Sequence, residues 1–121
     1  MSRKRKVIPL RFWETALEGE QSEKGYCRLS ASLLQHPAFK SLTGTERFVY
    51  IAMVSVAAGK DKFLFPQAVY EQYGLTKITV IRASKKLQAA GFIKIENHRF
   101  QRKPNVYQFT KDWKQHNQKR E

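Results

Sequence analysis

Residues Pro66 to Gly91, PQAVYEQYGLTKITVIRASKKLQAAG, constrain the fold more than any other stretch of the chain. Pro66 is suited to opening a helix, because its missing N–H is one that a first turn leaves unpaired in any case. Gly74 suits the position just past a helix end, where the backbone takes positive φ. Leu75 then fills a turn, and Thr76 stands as the N-cap of a second helix, its hydroxyl placed to accept from the N–H of Ile78 or Thr79. Beyond it Val80, Ala83, Ser84, Leu87 and Ala90 recur at helical spacing and define a packing stripe. Gly91 closes this helix. Its opposite surface carries Lys77, Ile78, Ile81, Arg82 and Lys85. Helix, three-residue turn and second helix with a basic outer face is the helix-turn-helix pattern, in which the second helix enters a DNA major groove.

The charge balance points the same way. The 121 residues contain 23 Lys and Arg against 10 Asp and Glu, a net charge of +13. A hydrophobic content of 41% excludes a disordered polycation and allows one domain with a modest core. The excess of cations implies a polyanionic partner, nucleic acid first and an acidic membrane surface second. No apolar run approaches the ~20 residues that span a bilayer, and the charged amino terminus has no apolar h-region behind it. The single cysteine, Cys27, excludes an intrachain disulfide. A cytoplasmic, nucleoid-associated bacterial protein is the expectation, with no membrane partner.

Taken in order, Ser2 to Lys6 (SRKRK) form a basic arm, read either as a solvated tail or as a phosphate or minor-groove contact through Arg3, Lys4, Arg5 and Lys6. The following segment contains Phe12 and Trp13, which are costly to leave in water, so residues 1–25 are expected to be a basic arm and a loosely docked segment. From Tyr26 the pattern sharpens into a domain over 26–115. Ser30 stands as an N-cap for a short helix that His36-Pro37 interrupts, and Ala38 to Leu42 add a turn. Thr45 or Thr43 caps a longer helix in which Phe48, Ile51, Ala52, Ser55 and Val56 share a face, ended by Gly59. Lys62 to Phe65 (KFLF) is too short for a helix and reads as a strand.

After the helix pair, FIKIEN and VYQF read as two strands joined by the basic loop HRFQRKPN, a β-hairpin. Thr110 is expected to cap a final short helix that folds Trp113 back on the core, and residues 116–121 are a polar tail. The order is helix, helix, strand, helix-turn-helix, strand, loop, strand, short helix. The expected fold class is therefore mainly α with a small β-hairpin (α+β), a winged helix-turn-helix whose hairpin is the wing.

The recognition-helix stretch GLTKITVIRASKKLQAAGFI resembles the G-L-S-x-x-T-V-x-R-A-x-x-x-L-x-x-x-G-F-I pattern of winged-helix transcription regulators of the MarR type. Gly74, Leu75, Thr79, Val80, Arg82, Ala83, Leu87, Gly91, Phe92 and Ile93 match it. KFLFP and RKPNVYQFTKDWK, on either side, resemble small helix-turn-helix proteins of plasmids and conjugative elements of Gram-positive bacteria, some of them related to replication-initiator domains. The resemblance runs from about Tyr26 to Lys114 and implies transcriptional regulation or replication control on a mobile element. The chain departs from the pattern at Ser84, where a larger apolar residue is usual, so looser helix packing is expected there.

Little in the chain suggests catalysis. The histidines His36, His98 and His116 are scattered without Cys partners, Cys27 has no indicated base, and no Walker loop, G-x-G-x-x-G or H-E-x-x-H occurs. No enzyme, cofactor or metal is expected. The candidate double-stranded DNA contacts are Lys77, Ile78, Thr79, Ile81, Arg82 and Lys85 on the recognition helix, with His98, Arg99, Arg102 and Lys103 on the wing. Arg82 is the base-reading candidate, because its planar fork matches guanine O6 and N7. Ile78 and Ile81 fit either thymine methyls or a homodimer or other protein partner. Two alternatives stay open: a protein-interaction module, and single-stranded nucleic acid or RNA binding through Phe63, Phe65, Phe92, Tyr107 and Phe109.

Overall fold

The computed structural model describes residues 10–16, 27–97 and 104–115. The arm cations Arg3, Lys4, Arg5 and Lys6, the wing residues His98, Arg99, Arg102 and Lys103, and the tail 116–121 lie outside the described residues.

Local capping chemistry sets the helix boundaries. Ser30 Oγ accepts from Leu33 N–H at 3.2 Å and starts α1, Ala31–Leu34. His36 then caps α2, Pro37–Lys40, with Nδ1 accepting from Ala38 N–H at 3.1 Å. Thr43, not Thr45, caps α3, Gly44–Ala57, in a reciprocal box. Its hydroxyl accepts from Glu46 N–H at 3.2 Å, while the Glu46 carboxylate accepts from Thr43 N–H at 2.9 Å. Ala58 and Gly59, both at positive φ, end α3.

Three strands follow: β1 Lys62–Leu64, β2 Ile93–Glu96 and β3 Val106–Phe109. They form an antiparallel sheet in the order β1-β3-β2, with Phe63 opposite Tyr107 and Ile95 also opposite Tyr107. Residues alternate between faces. Phe63, Tyr107, Ile93, Ile95 and Phe109 thus turn to the helices, and Lys62, Gln108 and Lys94 form a row on the other side. Among the described residues the architecture is mixed α+β. No helix among the described residues is long and apolar enough to cross a membrane.

The core is strongly aromatic. Tyr50 meets Phe92 edge-on at 5.3 Å and Phe109 at 5.6 Å, and Phe63 stacks on Phe109 at 4.8 Å. Five aromatics considered as a platform for single strands are accounted for here: Phe63, Phe65, Phe92 and Tyr107 are buried, and Phe109 is half-buried.

Four expectations are corrected. The buried face of α3 is Val49, Tyr50, Ala52, Met53 and Ala57, about a third of a turn round from the expected one. Phe48 is exposed, while Ser55 instead donates to or accepts from the Tyr73 hydroxyl at 2.9 Å. That helix is apolar on several sides, so the elements packed against it decide which side is buried. Thr110 does not cap a helix. Its hydroxyl bonds the Gly91 carbonyl, and the closing element is a 3₁₀ turn, Asp112–Gln115. Phe12 and Trp13 are exposed and pack edge-on against each other at 4.9 Å rather than docking on the domain.

Candidate nucleic-acid interface

The interface is built around a helix pair whose turn is fixed by local chemistry. Pro66 is the extended residue before α4, Gln67–Tyr70, rather than its first helical residue, and a 3₁₀ turn, Glu71–Tyr73, continues it. Gly74 takes φ +76°, reversing the chain where a side chain would be strained. Leu75 is buried beneath the turn. Thr76 caps α5, Lys77–Ala89, accepting from Thr79 N–H at 3.3 Å.

On α5 the packing stripe lies where the spacing expects it. Val80, Ala83, Ser84 and Leu87 are buried, and Ala90 beyond the helix is half-buried. Ser84 Oγ is buried without a hydrogen bond of normal geometry. It lies close enough to the Tyr107 hydroxyl to offset part of the upward pKa shift that burial imposes there. Ser84 is thus a buried polar side chain (4% exposed) within an otherwise apolar packing stripe.

The opposite face is free of the core. Lys77, Ile78, Ile81, Arg82 and Lys85 are all exposed, as is Lys86. The helix holds four cations and no carboxylate, and none of the four forms an ion pair among the described residues. Thr79 differs from its neighbours: it is half-buried, and its hydroxyl accepts from Thr76 Oγ1 at 3.0 Å.

Other cations serve the fold. Arg47 Nε donates to Leu42 O at 3.0 Å and Nη2 to Lys40 O at 2.7 Å, closing the end of α2, while its guanidinium lies over the Phe39 ring. The contrast with α5 separates a structural cation from an unengaged one.

Four residues near this face are not among the contacts expected from the sequence. Gln88 Oε1 accepts from Ile95 N–H at 2.7 Å, tying the edge strand β2 to α5. That N–H points away from β3, so the glutamine occupies the open edge of the sheet and sets the hairpin beside the helix. No spacing rule marks Gln88. Lys86 belongs to the basic face and is missed because it sits at the margin of the outer stripe. Lys62 and Lys94 are detectable from the period of two in KFL and IKIE.

No protein-family model matches the chain, and comparisons with curated proteins and with solved structures find no similar protein. Among the described residues no three His, Cys, Asp or Glu side chains come together in a way that could hold a metal ion. Cys27 is half-buried with a free thiol, and His36 is occupied by its capping bond and an edge-on contact with Trp113 at 4.9 Å.

Proposed function

We propose that the chain is a winged helix that binds double-stranded DNA with α5 in the major groove, acting without catalysis in the control of transcription or replication. One observation carries the reading. α5 is anchored by Val80, Ala83, Ser84 and Leu87, and its other face presents Lys77, Arg82, Lys85 and Lys86 with no carboxylate on the helix to neutralise them. The order of elements supports it, since a three-residue turn precedes α5 and the β2–β3 hairpin follows it, held alongside by Gln88. Phosphate contacts supply affinity through counterion release, and Arg82 reads guanine by a bidentate pair. The loop cations Arg99, Arg102 and Lys103 and the arm Arg3–Lys6 add phosphate contacts in this scheme.

Titration of a labelled duplex at increasing salt tests the proposal. With Arg82 on a base edge, the three α5 lysines alone predict that log K falls against log salt with a slope of about −3. Arg82→Ala is expected to lower affinity for a selected site by about 1–3 kcal/mol and to reduce discrimination between sequences. Absence of duplex binding at low salt would sink the idea.

A second reading has an observation of its own. Ile78 is 62% and Ile81 45% exposed, an apolar pair that suits a protein partner. Retention of DNA binding by Ile81→Asp, together with loss of a defined protein complex, would favour that interaction module.

A further inference from the structure

We infer that Ile78 and Ile81 are specificity residues that read the C5-methyl groups of thymines on neighbouring base pairs, beside the guanine read by Arg82. The inference rests on the DNA reading above and deepens it by naming the sequence class of the target.

Neither side chain belongs to the core. α5 is held by the stripe Val80, Ala83, Ser84 and Leu87, and Ile78 and Ile81 lie outside it, 62% and 45% exposed. Nor does the helix gain from them, because a β-branched residue on an exposed helical surface is less favourable than Ala, Leu or Lys. They are apolar surface that the monomer leaves uncovered.

Their surroundings select the occupant. Lys77, Arg82 and Lys85 stand on the same exposed face, so whatever covers the isoleucines must be anionic around an apolar centre. A second copy of this chain carries +13 of like charge and is a poor match. The major groove has the required character, with phosphates along its walls and thymine methyls on its floor. Ile78 is also in the first turn of α5, the part of a recognition helix that reaches base edges.

The experiment replaces thymine by uracil, which removes the C5-methyl and leaves every hydrogen-bonding group in place. A site is first selected from a random duplex pool with the wild-type protein, and each thymine is then exchanged singly. Uracil at two neighbouring positions is expected to weaken binding about fourfold each, the factor carried by burying one methyl-sized group. Ile78→Ala should remove the penalty at one position, and Ile81→Ala at the other. Both side chains are exposed, so thermal melting should show both variants folded. A selected site without adjacent thymines, or unchanged affinity for the uracil duplexes, overturns the inference while leaving duplex binding intact. Uracil penalties that persist in both alanine variants overturn the assignment to these residues. Complete lack of duplex binding overturns the DNA reading and this inference together.

Discussion

Gly91 shows how one residue answers two demands. Its φ of +89° ends α5, which the sequence makes visible. It also receives the carboxy-terminal turn: a Cβ at this position would lie 2.8 Å from Trp113 N and 2.9 Å from Asp112 Cβ. Trp113 N–H donates to Gly91 O at 3.2 Å, Thr110 bonds the same carbonyl, and the indole stacks on Phe92 at 5.2 Å. Gly74 has a similar φ, +76°, but open space around it. Gly74→Ala is therefore expected to cost about 1 kcal/mol from backbone strain alone, and Gly91→Ala at least about 2 kcal/mol. Urea unfolding of the two variants measures the difference. Equal losses would mean that the approach of the terminal turn contributes nothing.

Among the elements, the contact between α5 and β2 matters most for the interface. In the proposed complex, α5 and the hairpin act on one duplex only if their relative position is set, and Gln88 supplies a direct bond between them. Gln88→Ala is expected to expose the Ile95 amide to hydrogen exchange while the β1–β3 amides keep their protection. Unchanged protection at Ile95 would show that packing alone holds the edge strand. The long helix α3 makes the complementary point. Its boundaries follow largely from sequence: Gly59 marks the end, and the start narrows to Thr43 or Thr45, between which the reciprocal box with Glu46 decides. Its buried face does not, because Phe48, Val49, Tyr50 and Ile51 place bulky apolar groups around more than one side. Helical periodicity identifies a face only when the other faces are polar.

At the scale of the described molecule, a cluster of aromatic rings within the core joins α2, α3, the sheet and the terminal turn. Tyr50 lies within it, and burial pushes its hydroxyl pKa up from 10.0 to about 12. The folded protein thus retains this proton at a pH where the unfolded chain has released it. The contribution is fully present below about pH 10 and is lost as pH rises toward 12. Burial shifts Tyr107 in the same direction. The melting temperature is expected to fall over this range, and to fall less steeply in Tyr50→Phe, which retains the ring contacts. Identical pH profiles for the two proteins would count against a buried, protonated Tyr50.

Sequence alone determined the features that depend on near neighbours. Thr43, Thr76 and Ser30 act within three residues of themselves, Gly74 needs only its own φ, and the α5 stripe needs only helical periodicity. Net charge and the unopposed cations of α5 are likewise sums along the chain. Tertiary structure decided whatever depends on groups distant in sequence: the side of α3 that is buried, the bond from Gln88 to Ile95, the seat of Trp113 against Gly91 and Phe92, and the exposure of Phe12 and Trp13. It also distinguished Arg47, engaged by the Lys40 and Leu42 carbonyls, from Arg82, which makes no ion pair among the described residues. The reason is physical: a cap or a stripe is decided by local geometry, whereas burial and long-range hydrogen bonds exist only once separate elements have packed together.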